Sequence, residues 1–315
     1  MSFKLLSSPL QGFTDYRFRN AFHEIFGGID IYYAPYIKFF NKLEIKNSYQ
    51  RDLLPENNKV PELIPQVMTN SAEEFLFAAN YVESLGYKEL NWNLGCPYPM
   101  VTKRGMGAGL IHNAELIDSI LDEVHSKSNI MVSMKMRLGH ESPTEILDVF
   151  PVLAKYPIKN IAIHARLGKQ LYKGTVDLDS FQTALESSSQ PIYYNGDITT
   201  VERFKEMQKL FPSVSHFMIG RGLIADPFLP KMIQTNSNTY PENRVELLGE
   251  FHDVLFNQYD EALSGSSHLI SKMHNFWEYY SMAFDNPQKT FKKIKKAKNI
   301  IKYKIAVREI LNAEA

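Results

Sequence analysis

Short β-type runs alternate with amphipathic helical segments over the first 220 or so residues, and this alternation limits the possible folds more than any other feature. Alternation of this kind is typical of parallel βα units. Eight such runs favour a (β/α)8 TIM barrel of the α/β class over an open sheet. The predicted strands are 4–8, 30–34, 63–68, 89–93, 130–135, 160–164, 191–195 and 216–220.

Two helices between these strands carry clear start signals. Ser71 followed by Glu74 is typical of a capping box and predicts a helix over 71–85, and Asn113 is a suitable N-cap for a helix over 113–125. The stretch 36–61 after the second strand is unusually long, and we interpret it as an extended loop at the mouth of the barrel.

The pattern changes after residue 230, because a polar linker over 235–241 precedes purely helical sequence. Three helices are predicted there, over 244–263, 268–284 and 287–311. We therefore expect a barrel domain over 1–234 and a small all-helical C-terminal domain over 241–315. In the second domain we expect Trp277 and one of Tyr279 and Tyr280 to be core residues.

Several classes of protein are excluded by simple counts. Cys96 is the single cysteine, so the chain forms no intramolecular disulfide and suits a reducing compartment. The first residues lack the apolar core of a signal peptide, and no apolar stretch approaches the ~20 residues of a membrane span. Without a second cysteine or a closely spaced histidine pair, no metal site is expected. These observations predict a soluble, cytoplasmic protein without a membrane partner, and a monomer is expected.

The formal net charge of zero conceals two oppositely charged parts. Residues 268–315 hold ten basic and four acidic residues, a net of +6, so residues 1–267 carry a net of −6. In the last predicted helix nine basic residues precede the first acid, Glu309. Such a stripe can follow a line of phosphates, although a solvated helix face is the alternative. Helical spacing places four lysines on a common face, namely Lys289, Lys292, Lys293 and Lys296. The same spacing predicts that four apolar residues face the domain core, namely Phe291, Ile294, Ala297 and Ile301.

Polar residues and glycines follow nearly every predicted strand, where a (β/α)8 barrel carries its chemistry. Asn195-Gly196-Asp197 follows the seventh strand and Gly220-Arg221-Gly222 follows the eighth. Glycines allow main-chain N–H groups to approach a phosphate, and Arg221 adds a charge-assisted contact. The pairing predicts a phosphate site, while either set alone is equally compatible with an ordinary turn.

Three other strand ends carry side chains with distinct chemistry. Lys135 can neutralise an electron-rich ring or an enolate. His164 can donate to a phosphate or a ring carbonyl, with a structural hydrogen bond as its alternative. Gln66 presents an amide able to donate and accept along one edge, as recognition of an imide requires, and a solvated cap is the alternative.

Cys96 lies in Asn93-Leu94-Gly95-Cys96-Pro97, at the start of a glycine-rich loop that follows the fourth strand in the position of a lid. A lone cysteine is usually a small buried apolar residue. In this position the thiol can also serve as a nucleophile or a proton donor.

These motifs, taken in order, resemble the tRNA-dihydrouridine synthase family. The segment 93–97 with Val101, Gly107, Ala108 and Leu110 is similar to the catalytic loop of that family. The first motif begins with Ser8-Pro9-Leu10 where the family commonly has Ala-Pro-Met. Some subgroups carry an Arg-Lys-His run where this chain has Lys272-Met273-His274, so the target uridine stays open. The remaining matching segments are 8–15, 135–139, 164–166 with Gln170, Tyr172 and Gly174, 195–198, and 220–222.

The resemblance implies an FMN-binding barrel that reduces a tRNA uridine to 5,6-dihydrouridine, with NADPH as electron source and a proton from Cys96. The basic helical domain would bind the tRNA. The residues implied at the flavin are Pro9, Leu10, Gln11, Gln66, Lys135, His164, Asn195, Gly196, Asp197, Gly220 and Arg221. Those implied at the substrate are Asn93 and Arg166 beside the uracil, and Lys272, Lys292, Lys293 and Lys296 along the tRNA.

Two other functions remain open at this point. Another FMN barrel could reduce a free pyrimidine or an enone with a cysteine acid, without needing the basic helices. A non-catalytic RNA-binding protein that has kept the barrel would be colourless, whereas both enzymes would be yellow.

Overall fold

The computed structural model describes residues 2–40 and 42–314. Its strands form one parallel sheet, in which every strand is short and almost every residue is buried, as expected for a sheet covered on both faces. The strands are β1 (Lys4–Ser7), β2 (Ile31–Tyr33), β3 (Leu63–Ile64), β4 (Gln66–Val67), β5 (Glu89–Leu94), β6 (Met131–Gly139), β7 (Ile161–Leu167), β8 (Ile192–Asn195) and β9 (His216–Ile219).

The sheet order is β3-β2-β1-β9-β8-β7-β6-β5-β4. Its two ends, β3 and β4, are separated along the chain only by Pro65, which lacks an N–H and interrupts the ladder. β3 and β4 therefore act as one strand that closes the ring, and the predicted TIM barrel of eight strands is confirmed.

Helices surround this barrel and continue beyond it. Among the described residues none is both long enough and apolar enough to cross a membrane. The α-helices are α1 (Tyr16–Ile25), α2 (Asn47–Leu53), α3 (Ala72–Ser84), α4 (Pro99–Thr102), α5 (Ala114–Lys127), α6 (Glu145–Leu153), α7 (Leu178–Ser187), α8 (Val201–Leu210), α9 (Gly222–Ala225), α10 (Leu229–Thr235), α11 (Arg244–Ala262), α12 (Ser266–Tyr280), α13 (Pro287–Lys296) and α14 (Ile300–Glu314).

Both predicted helix starts are confirmed, one of them with a different arrangement. Asn113 accepts a hydrogen bond from the N–H of Leu116 at 3.0 Å, as an N-cap does. Ser71 likewise accepts from the N–H of Glu74. The Glu74 carboxylate does not return to Ser71; it accepts from the hydroxyl of Thr69, whose oxygen in turn accepts from the Ser71 N–H at 3.0 Å.

The segment 36–61 is not the extended loop that the sequence predicts, because it contains α2 and a 3-10 turn over Pro55–Asn57. Arg19 of α1 holds it in place. The buried Arg19 guanidinium donates to the Asp52 carbonyl at 2.7 Å, forms an ion pair with the Asp52 carboxylate at 3.2 Å, and donates to Asn58 at 2.7 Å. A buried charge requires such partners, and they convert a long connection into a structured part of the rim.

The C-terminal region has four helices rather than three, because the predicted helix 287–311 is broken between α13 and α14. Asn299 causes the break: its side chain accepts from the N–H of Lys302 at 2.9 Å and starts α14. The helical face predicted across the break is therefore wrong at Ile301, which is 75% exposed, although Ile294 and Ala297 are buried. Trp277 and Tyr280 are buried core residues as predicted.

Aromatic packing joins the C-terminal helices to the barrel. The ring of Phe251 on α11 lies 5.6 Å from Phe18 and 6.2 Å from Phe22 of α1, and 5.1 Å from Phe26 just after that helix, in each case edge to face. Aromatic pairs in this arrangement add to the energy of simple burial. The helices from α11 onward thus share a hydrophobic core with the barrel.

Candidate active site

A cavity of about 470 Å³ opens at the carboxyl ends of the barrel strands, within the size range of small-molecule and cofactor sites. It is lined by loops that follow six strands, by side chains of β6, and by the end of α12 with the residues just after it. The structure brings most of the site residues expected from the sequence to this cavity. They are Pro9, Leu10, Gln11, Asn93, Cys96, Lys135, His164, Asn195, Gly196, Asp197, Gly220 and Arg221.

The loops after β8 and β9 form a cradle for an anion. Gly196 and Asp197 have positive φ angles of 149° and 43°, and a side chain at Gly196 would bring its Cβ to 2.9 Å from Val176. Among the described residues, the N–H groups of Gly196, Asp197, Gly220 and Arg221 have no main-chain acceptor. Unpaired N–H groups beside a guanidinium suit a phosphate.

An ion-pair network supports this cradle. The Arg221 guanidinium lies over the Tyr172 ring, 4.6 Å from its centroid, and 3.3 Å from the Asp197 carboxylate. Burial alone would raise the pKa of Asp197, but hydrogen bonds and charge from Arg166, together with the charge of Arg221, hold it below its usual value. Asp197 therefore stays ionised and fixes both arginines.

Arg166 is not brought to the cavity, in contrast to its expected place beside a substrate base. Its side chain is 2% exposed, and its guanidinium donates to the Asp197 carboxylate at 2.8 and 2.5 Å and to the Gly174 carbonyl at 2.6 Å. These bonds use most of its donors. The structure gives Arg166 the role of bracing Asp197.

Gln66 is also placed behind the cavity wall, although the sequence indicated a residue in contact with a ligand ring. It is fully buried, donates to Asn91 and accepts from the Asn93 side chain, both at 2.7 Å. The side-chain Oδ1 of Asn93 in turn accepts from the main-chain N–H groups of Gly95 and Cys96, each at 3.0 Å. Gln66 thus orients Asn93, and Asn93 fixes the main chain that carries Cys96.

Cys96 lies at the cavity, 7% exposed, within an apolar cluster that includes Val101 and Met106. Gly107 closes this loop, since its positive φ of 56° allows a close approach in which any side chain would come within 2.6 Å of the Cys96 carbonyl. The Tyr36 hydroxyl is 4.0 Å from the Cys96 sulfur and is the polar neighbour of the thiol. Burial raises the pKa of Tyr36, so its hydroxyl stays protonated.

Two bases that face the cavity have lowered pKa values. Burial and then the charge of Arg137 lower the pKa of Lys135 to about 7, and Lys135 donates to Asn195 at 3.1 Å. Burial, followed by Arg137 and Lys135, lowers the pKa of His164 well below its usual value. His164 is therefore neutral. An anion that enters the cavity offsets the nearby positive charges and favours the protonated form of Lys135.

Several lining residues were not among those expected from the sequence. Arg137 stands with Lys135 at the end of the fifth predicted strand but was given no role there, and the structure shows it held by the Gly95 and Leu167 carbonyls at 3.0 and 2.7 Å. Tyr36, Tyr279 and Met282 come from distant parts of the chain, and no local pattern indicates that they meet here. Tyr279 lines the cavity half-buried, so Tyr280 is the core residue of that pair.

The basic residues expected at a tRNA lie apart from the cavity wall. Lys292 and Lys296 of α13 are exposed, whereas Lys293 forms an ion pair with Glu309 of α14 at 2.6 Å. Lys272 donates to the Gly12 carbonyl at 2.7 Å and lies 4.3 Å from the Tyr259 ring. Lys272 therefore ties α12 to the loop after β1.

A parallel barrel with a thiol, a lysine and an anion cradle around one cavity defines the class of TIM-barrel enzymes with a site at the strand ends. The model of the dihydrouridine synthase (Dus) family matches residues 5–313. The chain belongs to this family, whose members are oxidoreductases.

Known proteins similar to this chain span most of its length. It is 27% identical to a tRNA-dihydrouridine(16) synthase of Cupriavidus necator over 73% of each chain. It is 25% identical to a probable tRNA-dihydrouridine synthase of Rickettsia conorii over 98% of this chain and 92% of that protein. A solved structure of a variant of NCR from Zymomonas mobilis has a TM-score of 0.52 and 11% identity, covering 76% of this chain and 88% of that one. This last similarity concerns the fold.

Proposed function

We propose that this protein is a flavin-dependent tRNA-dihydrouridine synthase that reduces one uridine of tRNA to 5,6-dihydrouridine. The observation that carries the proposal is the placement of Cys96, Lys135 and the anion cradle around one cavity in a chain of the Dus family. The relatives named for this reaction support tRNA as the substrate.

The residues present fit FMN. The free N–H groups of Gly196 and Gly220, with Arg221, suit its phosphate, and Pro9, Leu10 and Lys135 would border its ring. Bound FMN, reduced by NADPH, would supply a hydride to one carbon of the uracil double bond. Asn93 retains an amide hydrogen for the base, since one hydrogen of its NH2 group is used on Gln66.

The chain itself would supply the proton. Cys96 lies at the cavity with its thiol beside Tyr36, and the loop 95–108 holds it there through the bond from the Ala108 N–H to the Cys96 carbonyl at 3.0 Å. A proton given by the thiol to the neighbouring carbon of the uracil completes the reduction. The base must leave its stack to reach Cys96, which is 7% exposed, so the proposed reaction requires an extruded base.

The helices α11–α14 would form a tRNA-binding domain over residues 241–315, beside a catalytic barrel over residues 1–234. The net charge of +6 over residues 268–315 supports this division of labour.

The direct test is to isolate tRNA from a strain that lacks the protein and to map its dihydrouridines. One dihydrouridine should disappear and return when the purified yellow protein is incubated with that tRNA and NADPH. Unchanged dihydrouridine content, or a protein that binds no flavin, would contradict the proposal.

Reversing the exposed charges of α13 should weaken tRNA binding. In the variant Lys289→Glu/Lys292→Glu/Lys296→Glu we expect the Kd for tRNA to rise at least about tenfold, and its dependence on salt to become shallower, because fewer counterions are released. Lys293 is left intact because it pairs with Glu309.

The matched control reverses three exposed lysines elsewhere, as Lys88→Glu/Lys205→Glu/Lys209→Glu. Filter binding at several salt concentrations provides both readouts. Equal effects of the two triple variants would show that α13 makes no specific contact.

Lys135 should make the flavin-free protein less stable near neutral pH. Its pKa is about 7 in the fold and 10.5 in an ordinary lysine, so between these values the unfolded chain holds a proton that the folded chain lacks. Stability from this group therefore falls as pH decreases from 10.5 to 7, and the full penalty remains below 7. We expect Lys135→Met to stabilise the apoprotein at pH 7 by several kcal/mol, at about 1.4 kcal/mol per unit of pKa difference, and to flatten the rise in stability above that pH.

Thermal unfolding of flavin-free protein from pH 6 to 10 measures this effect, with the exposed Lys88→Met as control. If Lys135→Met leaves the melting temperature of the apoprotein unchanged or lowers it, buried Lys135 does not destabilise the fold as the lowered pKa implies.

A further inference from the structure

Two large apolar side chains that line the cavity are more than half exposed. Tyr98, two residues after Cys96, is 51% exposed, and Met282, just after α12, is 59% exposed. Both nevertheless line the cavity. Large apolar side chains that remain exposed at the entrance of a site often mark a binding surface.

The two side chains approach the mouth from opposite sides of the barrel. Tyr98 follows β5, which lies four strands from β9 around the closed ring. Met282 belongs to the segment that packs against α9, and α9 follows β9. A ligand that enters between these two side chains passes between the loop of Cys96 and the C-terminal helices.

The part of the rim that α12 contributes favours flat, uncharged groups over phosphates. Tyr279 packs edge to face against Phe13 at 5.4 Å beside Met282, and both rings line the cavity. Glu278 is exposed and lines the same mouth, so its carboxylate repels phosphate groups there. Burial and then the charge of Glu278 raise the pKa of Tyr279 against a lowering by Arg221, and a smaller contribution from Tyr98 indicates that the two tyrosines lie near each other.

We infer that Tyr98 and Met282 form a clamp that stacks on the nucleobases next to the target uridine when that uridine enters the cavity. This inference rests on the proposed function. Extrusion of a base leaves its two neighbours without a stacking partner on one face. An aromatic ring and a polarisable thioether on either side of the opening replace that partner for any base, since every base has a π-face.

The double variant Tyr98→Ala/Met282→Ala should retain FMN and lose catalytic efficiency. We expect kcat/KM for dihydrouridine formation to fall about tenfold to a hundredfold, from the loss of one or two stacking contacts. Tyr98→Phe keeps the ring and should behave like wild type. Met131→Ala is the matched control, because Met131 is 43% exposed at the opposite end of the barrel, at the start of β6.

A double-mutant cycle, which combines the protein variants with altered tRNA, separates loss of stacking from a structural effect of the substitutions. Once the target uridine has been mapped, the bases beside it are replaced by abasic sites. Wild-type enzyme should lose about as much activity on the abasic tRNA as the double variant loses on intact tRNA. The double variant should lose little more on the abasic tRNA, because the contact is already absent.

Additive losses in this cycle, or a double variant with wild-type kcat/KM, would overturn the clamp. The clamp is equally overturned if the wild-type protein dimerises, the double variant is monomeric in sedimentation, and tRNA turnover is unchanged, because the surface would then join two copies of the chain. Failure of the proposed function looks different, since wild-type protein would then form no dihydrouridine in any tRNA.

Discussion

Replacing Cys96 with alanine is expected to abolish dihydrouridine formation while leaving the flavin and the tRNA affinity in place. The thiol is the proton donor that the proposed reaction requires at the cavity, and loss of a general acid typically slows a reaction by about 100- to 10,000-fold. Alanine removes only the sulfur, so the hydrogen bonds from the Gly95 and Cys96 N–H groups to Asn93 remain.

The measurements are single-turnover dihydrouridine formation, the flavin absorbance of the purified protein and the Kd for tRNA. Val101→Ala is the matched control, since Val101 belongs to the same apolar cluster as Cys96 but has no acidic proton to donate. A Cys96→Ala enzyme with full activity would remove the thiol from the mechanism. Equal losses in both variants would trace the effect to packing.

Replacing Arg221 with glutamate is expected to yield a colourless protein whose Kd for FMN is at least about a hundredfold higher. The change removes a charge-assisted hydrogen bond, which contributes about 1.5 to 3 kcal/mol, and adds a carboxylate beside Asp197 and the incoming phosphate. Arg221 is partly exposed, so the folded protein should tolerate the change.

Titration of the apoprotein with FMN, followed by flavin fluorescence, measures this Kd. Arg308→Glu serves as the control, because Arg308 is exposed on α14, outside the cavity lining. An Arg221→Glu protein that purifies with a full complement of FMN would show that the cradle after β8 and β9 does not hold the phosphate.

The sequence alone predicted the barrel and the location of the site, because both depend on local signals. Alternation of short apolar runs with amphipathic helices marks βα units, and the residues that end parallel strands must meet at one face. Asn195, Gly196 and Arg221 could be assigned to a common site for this reason, and the structure brings them together.

The roles of individual polar residues were harder to predict, since a side chain near a strand end can turn towards the cavity or towards a neighbouring strand. Gln66 and Arg166 both turn away and bond to Asn93 and Asp197. These choices depend on partners far along the chain. The break before α14 was missed because the helical pattern continues across it. α13 ends at Lys296, and the Asn299 side chain then starts α14 by accepting from the Lys302 N–H.

The packing of Phe251 against Phe18, Phe22 and Phe26 bears on how the proposed enzyme would choose among uridines. Interlocked rings permit little sliding or hinging between the C-terminal helices and the barrel. The distance from the lysines of α13 to the sulfur of Cys96 is then fixed. A tRNA bound at the lysines of α13 would place at Cys96 only the nucleotide that lies this distance away on its folded surface. On this basis the shape of the RNA, and not the bases around the uridine, would designate the nucleotide that is reduced.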